Sequence, residues 1–150
     1  MIGEVRDVKT FHYPSLASQT LTGEQRRSLI HRVVHETLKY GYYHGMSTIV
    51  LEDPEVLGYL KLKWTRGSDR KSKRFNRKVS IFKSSIVDEF ALHAPEYGIK
   101  VFYVNPACTS KLAELITRDL GLDKHSASAY ILASEYLGLK PVQIIKSVQK

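Results

Sequence analysis

Two short apolar runs constrain the fold most: "STIVLE", residues 47–52, and "IKVFYV", residues 99–104. Each is too short for a buried helix and is rich in β-branched or aromatic side chains, which predicts a pair of buried strands. The segment between them holds Phe75, Val79, Phe82, Ile86 and Phe90 at helical spacing. That helix is expected to run to about Tyr97, with Gly98 placed as a left-handed stop. Strands joined by a helix of this length pair in parallel, so an α/β layered architecture follows.

A further strand is expected over residues 3–13, where Val5, Val8, Phe11 and Tyr13 alternate loosely before Pro14. Thr22 and Gln25 form a capping box for a helix over 24–43, whose Ile30, Val33, Val34, Thr37, Leu38 and Gly41 share one face. "NPACTS" reads as a turn and "KLAELITRDLG" as a short helix. "KHSASAYILASEYLG" is helical, with Ala127, Tyr130, Ile131, Ser134 and Leu137 on one side and Gly138 as its stop. Pro141 opens a last turn or two. No repeat and no linker breaks the 150 residues, which fit one domain.

The single cysteine, Cys108, excludes an internal disulfide and a multi-cysteine zinc site, and it suits a reducing compartment. No apolar run approaches the roughly 18 residues that cross a bilayer. The opening "MIGEVRDVKTFHYP" has no basic start followed by an apolar stretch. The expectation is a cytoplasmic protein with no membrane partner.

Charge is unevenly placed. Lys61, Lys63, Arg66, Arg70, Lys71, Lys73, Arg74, Arg77 and Lys78 stand against one acid, Asp69, within residues 61–78. This segment alone equals the net charge of +8, and the rest of the chain, with 14 basic and 14 acidic residues, sums to zero. A local polyanion site follows more readily than a generally basic surface. Trp64 and Phe75 interleave with the charges and could stack on bases. The plainer alternative is a solvated, charged loop.

Directly before that segment, strand 47–52 delivers Glu52, followed by Asp53. Open α/β sheets gather ligand groups at the carboxyl ends of their strands. Asn105, Thr109 and Ser110 lie just past the end of the other strand, within reach of the same rim. A carboxylate beside a phosphate site is repulsive unless a divalent cation lies between them. Asp123 and His125 are the candidate partners for Glu52. Taken alone, Glu52 reads more readily as a solvated strand exit, Asp123 as a helix N-cap and His125 as a surface histidine. His12, His31, His35, His44 and His93 show no metal spacing. His31 and His35 are four apart, but the sequence offers no third ligand to join them.

"STIVLED", "FNRKVSIFKSSIVDEF", "YGIKVFYVNPACTSK" and "HSASAYILASEYLG" occur here in the order seen in TnpB (OrfB) proteins. Over roughly residues 20–139 the chain resembles this family of transposon-encoded, RNA-guided nucleases. The resemblance implies a RuvC-like domain of the RNase H fold, a mixed sheet with helices packed on it. It also implies Mg²⁺ or Mn²⁺ as cofactor, and DNA or a guide RNA as partner. "VNPACTSK" is similar to the family's Val-x-Pro-x-x-Thr-Ser signature. By position, Glu52 matches the family's second catalytic carboxylate. The "AYILA" register puts His125 at the third ligand position, with Asp123 as the alternative two residues earlier.

Two departures accompany the resemblance. The four-cysteine zinc element of many TnpB proteins is replaced by "KLAELITRDLGL", so the chain resembles a zinc-less branch. The strand carrying the first catalytic aspartate has no counterpart, since residues 3–13 match the third strand and Asp7 does not fit the position. The domain is thus expected to be incomplete at its N-terminus. An unpaired edge on strand 3–13 would invite a missing N-terminal half or a second copy. Two functions follow as expectations. One is metal-dependent DNA hydrolysis as part of a larger protein; the other is a catalytically dead remnant that binds RNA or DNA through its basic segment. The nuclease reading requires Glu52 and the start of the helix near His125 to converge at one rim of the sheet, close enough to share a cation.

Overall fold

The computed structural model describes residues 5–18, 20–53, 55, 86–107, 109–140 and 143–144. The basic segment 61–78, the expected helical residues 75–85, Cys108 and Pro141 lie outside the described residues. The architecture is α/β. In chain order the elements are helix α1 (Gly23–Tyr43), strand β1 (Thr48–Glu52), helix α2 (Val87–His93), strand β2 (Lys100–Val104), helix α3 (Thr109–Leu120) and helix α4 (Lys124–Tyr136).

Helix α1 starts as the capping box dictates. The Thr22 hydroxyl accepts from the Gln25 amide at 3.2 Å, and the Gln25 side chain accepts from the Thr22 amide at 3.0 Å. Ile30, Val34, Leu38 and Gly41 form its buried face. Gly41 is needed for close approach: a Cβ there would lie 3.3 Å from Met46 Sδ and 3.4 Å from Ile99 Cδ1. Helix α2 packs on α1 through Val87 and Phe90, then tightens into a 3₁₀ turn over Ala94–Tyr97. Gly98, at φ 68°, ends the run in the left-handed region where a side chain is disfavoured.

The two strands lie side by side. The Lys100 amide donates to the Ser47 carbonyl and the Asp53 amide to the Val104 carbonyl, both at 2.9 Å. Early residues therefore pair with early and late with late, which is parallel pairing. The expectation of fully buried strands is corrected. Every residue of β1 is only partly covered, and β2 exposes Lys100, Phe102 and Tyr103. The reason is geometric: among the described residues the sheet has two strands, each of them an edge, and parallel strands become buried only when elements cover both faces.

The expected strand over 3–13 is also corrected, since residues 5–13 form no strand and a 3₁₀ turn follows at Pro14–Ala17. Its aromatic residues go to α1 instead. Phe11 meets Tyr40 edge-on at 6.0 Å, and the Tyr13 hydroxyl donates to Glu36. These contacts use the side chains that strand pairing would have aligned. The strand edge expected to recruit a second chain is consequently not formed by residues 5–13.

Helices α3 and α4 pack on each other around Ala113, Ile116, Ala127, Ile131 and Ile144, with Leu112, Leu120, Leu122, Tyr130 and Leu139 around them. Gly121 and Gly138 take positive φ at the ends of the two helices. The expected face of α4 holds for Ala127, Ile131 and Ser134; Leu132 is buried where Leu137, at 62% exposure, was expected. Beyond the last turn of the helix, Leu137 no longer follows the helical face. The chain divides into two compact units, one comprising Thr10–Ile49 and Pro54–Val101, the other Met1–Lys9, Val50–Asp53 and Phe102–Lys150. Among the described residues, no helix is long and apolar enough to cross a membrane.

Candidate functional site

Glu52 is the last residue of β1 and is partly buried. Burial pushes its carboxyl above the ordinary glutamate range, because loss of water disfavours the ionised form. The following residue, Asp53, is tied by its amide to the end of β2. The carboxylate is thus placed at the carboxyl end of two parallel strands.

The turn after β2 is built by its own side chains. Asn105 Oδ1 accepts from the Ala107 amide at 2.9 Å, an Asx turn. Thr109 is buried, and its hydroxyl donates to the Pro106 carbonyl at 2.9 Å, so it shapes the turn rather than facing solvent. Ser110 is exposed.

Asp123 is the N-cap of α4. Its Oδ1 accepts from the amides of His125 (2.9 Å) and Ser126 (3.2 Å), and Oδ2 accepts from the Ser126 hydroxyl. The Ser126 hydroxyl, then the two amides, hold the carboxyl below its usual range by stabilising the anion. The capping alternative is therefore the arrangement present. His125 is exposed in the first turn of α4. Among the described residues, Glu52, Asp123 and His125 do not belong to any trio of potential ligands gathered within 4.8 Å.

The residues that do gather are histidines the sequence left unconnected. His31 and His35 project from successive turns of α1, and His93 from α2; one nitrogen from each lies within 4.8 Å of the others. Ring centroids are 4.2 Å apart for His31–His35, 4.6 Å for His35–His93 and 5.0 Å for His31–His93. Glu89, one turn before His93, reaches toward both His31 and His93. Burial, then repulsion from His31 and His93, lowers the pKa of His35 below its ordinary value. The missed signal was a second i, i+4 pair, Glu89 and His93, able to meet His31 and His35 once the helices pack.

Comparisons with known proteins find similarity to longer archaeal proteins. It is 39% identical over 150 residues to each of two uncharacterized proteins of Aeropyrum pernix, covering 99% of this chain but 39% and 35% of theirs. It is 29% identical over 140 residues to an uncharacterized protein of Saccharolobus solfataricus, covering 91% of this chain and 36% of that one. The chain thus spans well under half the length of these relatives. No family model matches it. No solved structure matches it either.

Proposed function

We propose that this chain contributes the later part of a RuvC-like, RNase H-type nuclease domain, acting within a longer transposon-associated, TnpB-like protein in the cytoplasm. The observation that carries the reading is Glu52: a partly buried carboxylate with raised pKa at the carboxyl end of paired parallel strands. Such a group suits a Mg²⁺ or Mn²⁺ ion, which would stabilise its ionised form. When bound, that ion would activate a water for phosphodiester hydrolysis. The incompletely covered sheet and the greater length of the relatives support further strands and ligands in the rest of such a longer protein. In this reading residues 61–78 track the phosphate backbone, and Asn105 and Ser110 lie beside the strand ends.

A second reading is a binding module without activity. It is favoured by the fit of the other candidates: Asp123 has both carboxylate oxygens engaged as a cap, and His125 is not grouped with Glu52. Labelled single-stranded DNA incubated with Mn²⁺ and the chain, beside Glu52→Gln, separates the two. Cleavage by the chain that Glu52→Gln abolishes supports the nuclease reading, and no cleavage by the unmodified chain supports the binding module. Cleavage undiminished by Glu52→Gln would remove Glu52 from the site.

A further inference from the structure

Helices α1 and α2 each carry an i, i+4 pair of potential ligands: His31 with His35, and Glu89 with His93. Glu89 Oε2 lies 3.5 Å from His31 Nδ1 and 3.2 Å from His93 Nε2. The remaining nitrogens of two rings are already held. His93 Nδ1 is 2.7 Å from Glu96 Oε1, and His35 Nδ1 is 2.7 Å from the Tyr97 hydroxyl. An ionised carboxylate only accepts, so His93 donates its Nδ1–H to Glu96, and in the neutral ring Nε2 carries the lone pair. That lone pair then faces Glu89 Oε2. Two acceptors meet, and the contact is repulsive unless a proton or a metal ion lies between them.

His35 Nε2 and Glu89 Oε2 are both buried and have no hydrogen-bond partner among the described residues. Unsatisfied buried polar atoms are costly; here one belongs to the histidine cluster and the other to Glu89, which contacts His31 and His93 of that cluster. A cation held by the three histidines would satisfy His35 Nε2, and it would satisfy Glu89 Oε2 once that side chain turns toward it. We propose that His31, His35 and His93, with Glu89 as fourth ligand, bind a zinc-class divalent transition ion that clamps α1 to α2.

The donor set selects the metal. Three imidazoles and one carboxylate suit Zn²⁺, Co²⁺ or Ni²⁺, whereas Mg²⁺ and Ca²⁺ take oxygen ligands. A tetrahedral zinc ion with bonds of about 2.0–2.1 Å separates its ligand atoms by about 3.4 Å. The 4.8 Å limit on the three nitrogens leaves only side-chain adjustment to reach that spacing. Glu96 and Tyr97 occupy the outer positions that fix ring orientation in metal-bound histidines. An open cleft of about 350 Å³, lined by Glu24, Arg27, Ser28, His31, Glu89 and His93, gives access. The single cysteine excludes a multi-cysteine zinc site, not this one, and the site is independent of the role assigned to Glu52.

Calorimetry with Zn²⁺ and absorption spectroscopy with Co²⁺, on untagged protein, test the proposal. One equivalent should bind at micromolar affinity or tighter, raise the Tm, and give the intense visible bands of four-coordinate Co²⁺. His31→Ala, on a side chain 53% exposed, should keep the fold and weaken binding at least about tenfold. His93→Ala should do the same, and Glu96→Gln should weaken binding about tenfold through ring orientation alone. His125→Ala should bind as the unmodified chain does. Binding only at millimolar Zn²⁺, binding indifferent to His31→Ala, or a Tm indifferent to Zn²⁺ would overturn the proposal.

Discussion

The amide of Asp53 donates to the carbonyl of Val104 at 2.9 Å, pinning the residue after Glu52 to the last residue of the neighbouring strand. The carboxyl ends of β1 and β2 are thereby held together, and Glu52 is fixed at that end in a partly buried position.

Burial of Glu52 predicts a specific pH dependence. A carboxyl whose folded pKa lies above its unfolded value binds its proton more tightly in the fold. Its ionisation therefore opposes folding: stability falls as pH rises from the unfolded value through the raised one, and stays lower above it. Glu52→Gln should raise the Tm at pH 7 by up to about 3 °C, and the difference should shrink toward zero below about pH 4. Thermal melts of both proteins across this range check the sign. A variant less stable than the parent at neutral pH would mean that Glu52 is stabilised by partners rather than strained by burial.

Asp123 and His125 should separate cleanly in stability. Asp123→Ala removes the cap from the amides of His125 and Ser126 and should lower the Tm by several degrees, with Asp123→Asn recovering most of it. His125→Ala, on an exposed side chain, should change the Tm little. The Asp123 contribution has the opposite pH sign to that of Glu52. Its folded pKa is depressed, so the stabilisation is present above the unfolded value and is lost as pH falls through the folded one.

The α3–α4 core gives a packing prediction. Ile131 is fully buried against Ala113, Ile116, Ala127 and Ile144, so Ile131→Ala should cost about 2–5 kcal/mol in denaturant unfolding. Leu137 is 62% exposed, and Leu137→Ala should stay within about 0.5 kcal/mol. Equal effects at the two positions would contradict this packing of α4.

Local signals were the legible part of this fold. The Thr22–Gln25 box, the strand positions, the stop at Gly98 and the parallel pairing all follow from short-range chemistry and connection length. Exposure was not legible: whether Phe102 and Tyr103 are buried depends on what covers β2, which no strand pattern encodes. Residues 5–13 alternated only loosely, and the contacts of Phe11 and Tyr13 with α1 displaced the strand. For the site, the end position of Glu52 was readable, as was the capping role of Asp123. The histidine cluster was not, because His35 and His93 meet only through helix packing across a long stretch of chain.

The basic segment supplies the prediction for partners. Replacing Lys71, Lys73 and Arg74 together by Ala should weaken single-stranded DNA binding at low salt for every sequence tried. It should also reduce the steepness of the salt dependence by about 2, with three fewer phosphates neutralised. A variant that keeps both the affinity and the slope would show that these three side chains are merely solvated.

The proposed engagement of nucleic acid is tested most directly by the salt dependence of the chain's affinity for single-stranded DNA. With six to nine phosphates contacted by residues 61–78, log K should fall against log salt with a slope of about −4 to −6 between roughly 50 and 200 mM. Undetectable binding at 50 mM salt would contradict both the nuclease and the binding-module readings.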